Sequence, residues 1–154
     1  MARLEDEGRN TLNDLISACH DAESGFRTLA ENAPTKETKA LFQHYAEQHH
    51  RFAAGLQEEV RHLGGESSEG GTVRGAMHRG WVNVKSAVAG PDEAYLLSDC
   101  RRDEAVLLEK YQEALTKPLS TQALQLVGRQ CAEIQRAYER IGKLEKAETQ
   151  PRSP

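Results

Sequence analysis

Apolar residues recur in this chain at intervals of three and four along four long segments, and no other feature constrains the fold as strongly. Leu12, Leu15, Ile16, Cys19, Phe26, Leu29 and Ala30 form the first stripe. Leu41, Phe42, Tyr45, Phe52, Leu56, Val60 and Leu63 form the second. Leu97, Cys100, Leu108, Tyr111 and Leu115 form the third, and Leu124, Val127, Cys131, Ile134, Tyr138, Ile141 and Leu144 the fourth. Residues spaced in this way share one side of an α-helix, so each segment has a face to bury.

The breaks between the stripes are chemical. Pro34 disfavours helix in the residue before it and ends the first segment. Thr35 can cap the second helix, and Glu37 suits the positive end of its dipole. Gly64-Gly65 stops that helix, and the run to Gly71 has the composition of a flexible linker. Asp92-Glu93 opens the third helix, and Lys117-Pro118-Leu119-Ser120 turns the chain into the fourth. The composition agrees: good helix formers abound and prolines number only five. With 154 residues the chain can bury a core without disulfide or metal staples. One domain is expected over residues 1–147, followed by a disordered tail over 148–154.

A fifth, shorter stripe lies in the long connection. Val73, Met77, Trp81, Val84 and Val88 repeat at four, four, three and four between Thr72, a candidate cap, and the Gly90-Pro91 stop. Such a helix would run roughly 27 Å, enough to carry the chain back along the outside of a bundle. Its apolar side, with Trp81 as anchor, is expected to be buried on the bundle, or alternatively against a second subunit. Two long helices, a long connection and two more long helices make a bundle with one crossover. That is the ferritin-like arrangement. The fold class expected is therefore all-α: a ferritin-like four-helix bundle with a long crossover containing a short amphipathic helix.

Several functions are excluded at this level. The formal net charge of -4 argues against a sequence-independent hold on nucleic acid. No apolar run approaches the length of a membrane span, and the first residues lack the apolar core of a secretory leader, so a cytoplasmic location is expected. Three cysteines, all on apolar stripes, read as core residues rather than a disulfide framework. There is no Gly-rich phosphate loop, no Cys-x-x-Cys and no nucleophile–base pair.

Asp21-Ala22-Glu23-Ser24-Gly25-Phe26, Leu56-Gln57-Glu58-Glu59-Val60, Leu63-Gly64-Gly65, His78-Arg79-Gly80-Trp81 and Tyr111-Gln112-Glu113-Ala114-Leu115 follow one another in order. Together they resemble the DUF2383 group, bacterial four-helix-bundle proteins of unknown function placed with the ferritin-like folds. The resemblance spans nearly the whole chain. It implies a fold and a bacterial origin, and no activity.

Ferritin-like metal proteins place a Glu on each of two helices and a Glu-x-x-His on each of the other two. Here Glu23 and Glu104 interrupt the first and third stripes and suit the lone-Glu role. Glu47-x-x-His50 lies off the second stripe, whereas His49 lies on it with Ala46 three residues earlier. On the fourth stripe the corresponding residues are Gln135 and Tyr138. Half of the expected ligands are thus missing. The reading that follows is a non-catalytic cytosolic bundle, stress-related and homo-oligomeric, with no resident cofactor. In it Glu23, His49, Glu104 and Tyr138 form a buried hydrogen-bonded network. The alternative is a metal-binding protein, mononuclear or with a degenerate two-metal site, using Glu23, His49 and Glu104 to hold Fe or Zn, with Tyr138 beside the metal and oxidoreductase or ferroxidase activity.

Overall fold

Backbone amides at helix starts need acceptors, and the residues expected to supply them do so in the computed structural model of the chain, which describes residues 2–72, 75–80, 82–83 and 92–149. The first helix, α1, spans Ala2–Glu31. Thr35 stands in extended backbone and its hydroxyl accepts the Thr38 amide at 3.2 Å, opening α2 (Lys36–His62). Asp92 accepts the Ala94 amide at 3.1 Å and opens α3 (Glu93–Ala114). Ser120 accepts the Ala123 amide at 3.1 Å where α4 (Thr121–Thr149) begins. At the far end of α2, Gly64 takes a φ of 79°, which a side chain would oppose. That turn lets the Gly64 and Gly65 amides reach the Arg61 and Val60 carbonyls, each at 3.0 Å.

Short links make α1–α2 and α3–α4 into two antiparallel hairpins, and these account for the heaviest packing. The hairpins meet chiefly through α1 against α3, with α2 touching α4 more lightly. The core divides in two. One cluster gathers Leu12, Ile16, Leu56, Val60, Tyr111 and Val127; the other gathers Phe26, Phe42, Tyr45, Leu96, Leu97 and Ile141. Burying a side chain of this kind contributes about 1.5–3 kcal/mol, and the bundle rests on that sum.

The stripe on α4 is rotated from the expected one. Val127, Ile134 and Ile141 are buried as anticipated, but Ala123, Gln130 and Ala137 complete the seam. Leu124 and Leu144 stay exposed, and Cys131 and Tyr138 are half-buried.

The crossover also differs. Residues 75–80 and 82–83 are helical, and Thr72 caps them, its hydroxyl accepting the Gly75 amide at 3.0 Å. Met77, however, is 72% exposed, whereas Val82 is buried and joins the second core cluster. The face toward the bundle carries His78 and Arg79, held by carboxylates of α3 and α1. In the described part of the crossover, these ion pairs and the buried Val82 hold the segment to the bundle. Trp81, Val73, Val84 and Val88, on which the rest of that expectation depends, lie outside the described residues. So does the tail from residue 150 onward, although α4 continues through Thr149. Among the described residues no helix is long and apolar enough to cross a membrane.

Candidate functional site

His49 and Glu104 meet where the two core clusters adjoin. His49 is held between Phe26 and Phe52, with ring centroids 5.1 and 5.4 Å away. Its Nδ1 lies 2.6 Å from the Tyr45 carbonyl. A carbonyl only accepts, so Nδ1 carries a hydrogen. Its Nε2 lies 2.9 Å from Glu104 Oε1, an ion contact without hydrogen-bond geometry at Nε2. One further proton satisfies this contact: on Nε2 it makes an imidazolium facing a carboxylate, on Oε1 an acid facing a neutral ring. The pair has no net charge in either form. Burial is the largest single influence and opposes the imidazolium, but the attraction of Glu104, the bond to the Tyr45 carbonyl and the Glu23 charge together exceed it, so the His49 pKa stands above the usual value. The other carboxyl oxygen, Glu104 Oε2, is buried and has no hydrogen-bond partner.

Glu23 takes different partners. Arg27 donates to its Oε2 at 3.0 Å and His50 Nδ1 stands 2.9 Å from its Oε1. Burial would raise the Glu23 pKa, and His50 with Arg27 overcomes it and lowers it. The Glu-x-x-His on α2 is a surface feature, with Glu47 and His50 both exposed. Tyr138 lies beside Arg101, whose charge it helps to hold, and Gln135 donates to the exposed Glu139 at 3.0 Å. The structure therefore brings His49 and Glu104 together and sets Glu23 and Tyr138 apart from them.

A second polar cluster joins the crossover to α3. A cavity of about 350 Å³ opens between α1, α3 and the start of the crossover, with Glu104 in its wall. In that wall His78 Nε2 lies 2.9 Å from Asp99 Oδ2 and 3.3 Å from Asp103 Oδ2. Among the described residues this is the one group of three such side chains whose donor atoms all lie within 4.8 Å of one another. Desolvation and then the charge of Asp99 push the Asp103 carboxyl up to about 6. Asp99 and Asp103 sit four apart on α3, each just before an inward residue, Cys100 and Glu104. That spacing puts both carboxylates on one side of α3 but does not by itself name the partner they meet.

A family model described as "Domain of unknown function (DUF2383)" matches residues 8–117, more than half of the chain. The chain belongs to the DUF2383 family. No curated protein matches it. Among solved structures, this DUF2383 bundle is similar to a two-domain protein from Anabaena variabilis that contains DJ-1/ThiJ/PfpI-like and ferritin-like domains. The TM-score is 0.75 at 15% identity over 97% of this chain. The chain spans 40% of the length of that protein. The likeness shows the ferritin-like fold.

A ferritin-like two-metal centre draws its six ligands from all four helices. In the DUF2383 bundle that position offers one carboxyl group and one imidazole facing each other, with Ala46 buried where a second carboxylate would stand. On α4 the buried neighbours are Ile134, Ala137 and Ile141. These residues do not fit a two-metal group. Deeper in the core, Tyr111 donates to Gln130 Oε1 at 2.7 Å, and Gln130 Nε2 donates to the Phe52 carbonyl at 3.2 Å. The tyrosine's one hydrogen is thereby used, so the Cys19 thiol donates to Tyr111 Oη across 3.1 Å. This chain of bonds ties all four helices together.

Proposed function

We propose that this DUF2383 chain is a non-catalytic ferritin-like bundle that acts by binding, in the cytoplasm and as a homo-oligomer. The supporting observation is the buried His49–Glu104 pair. The imidazole and the carboxyl group that a ferritin-like centre would turn toward a metal face each other at 2.9 Å instead. One proton neutralises them, and a metal would have to displace that proton and break the contact. Glu23, held by Arg27 and His50, would have to leave both partners to join them.

Aerobic Fe(II) oxidation by the purified protein tests this reading. The expected rate equals that in buffer. A faster rate abolished by Glu104→Gln would overturn it. Sedimentation velocity over a range of concentrations tests the assembly, and a monomer throughout would remove that part of the proposal.

A further inference from the structure

We propose that His78, Asp99 and Asp103 bind one divalent transition-metal ion at the cavity between α1, α3 and the crossover. This goes beyond the reading of the bundle centre and does not depend on it.

The spacing of the donors is the first argument. Ligands about 2.0–2.2 Å from a zinc-sized ion stand about 3.0–3.5 Å from one another. The two contacts of His78 Nε2, at 2.9 and 3.3 Å, already have that scale. All three donor atoms lie within 4.8 Å of one another, so side-chain adjustment alone could bring them around one ion.

Charge is the second. Asp99 and Asp103 are four apart on one helix, where like charges repel. The side chain of Asp99 is only 4% exposed. One imidazole answers two carboxylates, leaving the cluster negative whether or not His78 is protonated. Arg79, Arg102 and Lys110 also line the cavity, and the Arg102 charge bears on Asp103, but none of the three lies within ion-pair distance of either carboxylate. A divalent cation would balance both.

A buried carboxyl oxygen outside the cluster is the third. Glu104 follows Asp103 in sequence and lines the same cavity, and its Oε2 is buried with no donor. Buried acceptors are rarely left unsatisfied. An ion held by three protein ligands keeps open positions for water. A metal-bound water in a cavity of about 350 Å³ has room to donate to Oε2.

The donor set selects the class of ion. One imidazole nitrogen with two carboxylate oxygens suits Zn(II), Fe(II) or Mn(II). It is too poor in oxygen for Ca(II) and lacks the thiolates that favour Cu(I). Because His78 comes from the crossover and both aspartates from α3, a bound ion would clamp the crossover to the bundle.

Calorimetric titration of EDTA-treated protein with Zn(II), and separately with Mn(II), tests the site. The expected result is one ion per chain. Asp99→Asn and His78→Ala should each weaken binding at least tenfold, and the ion should raise hydrogen-exchange protection over residues 75–83. Asp103→Asn, at a half-exposed position, should show the same loss and guards against a misfolded Asp99 variant. Substituting His50, which stands with Glu23 on another face, should leave affinity within about threefold. Absence of saturable binding up to about 1 mM would overturn the proposal, as would binding that survives all three substitutions. Zn(II) has no redox chemistry, so this outcome is separate from that of the Fe(II) oxidation assay.

Discussion

Glu104 Oε1 lies 2.9 Å from His49 Nε2, and neither side chain exposes more than 2% of its surface. Removing one member strands the other. His49→Ala should cost about 3–5 kcal/mol, because a buried carboxyl group loses its counter-charge. Replacing both residues with leucine should return stability to within about 1 kcal/mol of the parent, or above it. Urea unfolding of the single and double variants measures the difference. A double variant as unstable as the single one would show that the pair is not a closed unit.

Tyr111 is the hub of a second buried chain of bonds. Tyr111→Phe keeps the ring but leaves Gln130 Oε1 without its donor and the Cys19 thiol without its acceptor. The expected cost is about 1–3 kcal/mol, read as a shifted urea midpoint at unchanged slope. A change below about half a kcal/mol, as at an ordinary surface position, would remove the network from the account of stability.

Gly75 sits where a Cβ would fall on the Asp21 carboxylate. That carboxylate accepts the Thr72 amide at 2.7 Å and the Thr72 hydroxyl at 2.6 Å, fastening the start of the crossover to α1. Glycine to alanine in a helix ordinarily stabilises by about 0.5–1 kcal/mol. Here Gly75→Ala should instead loosen the crossover, accelerating proteolysis within residues 64–72 roughly threefold to thirtyfold, the equivalent of about 0.7–2 kcal/mol. In an Asp21→Ala background the same substitution should become neutral or protective. Equal effects in both backgrounds would dismiss the clash.

The three cysteines should differ sharply in reactivity. Burial first of all pushes the Cys19 thiol from an ordinary 9.0 up to about 12, against the lowering effect of Tyr111. At pH 8 roughly one in ten thousand such thiols is ionised, against about one in ten at the ordinary value. Cys100 is raised by burial and then by Glu104, whereas Cys131 is only half-buried. Iodoacetamide at pH 8 should therefore label Cys131 first, and Cys19 and Cys100 only on unfolding, as peptide mass spectrometry will show. The unfolded Cys19 thiol ionises near 9.0 while the folded one stays protonated. Its contribution to stability is thus complete below pH 9 and is lost between about pH 9 and 12. Rapid native labelling of Cys19 would contradict its burial.

Short-range chemistry was enough to place most of the helices. Thr35, Thr72 and Asp92 cap because a side-chain oxygen and the amides it satisfies lie within three residues of one another. The inward direction of His49 and Glu104 also followed from helical spacing alone, since both interrupt apolar stripes. What spacing does not carry is the partner. Glu23 interrupts a stripe just as Glu104 does, yet one carboxylate faces Arg27 and His50 and the other faces His49. That choice depends on how α1 is rotated against α2 and α3, which the packing of many side chains sets together. The same holds for α4. Both possible seams read as threes and fours, and the rotation of α4 in the packed bundle buries the one that includes Ala123, Gln130 and Ala137. His78 meets Asp99 and Asp103 only because the crossover folds back against α3, more than twenty residues along the chain. Local spacing determined which residues could share a helical face; only the tertiary structure, through the mutual rotation of packed helices, decided which faces meet and which charges answer one another.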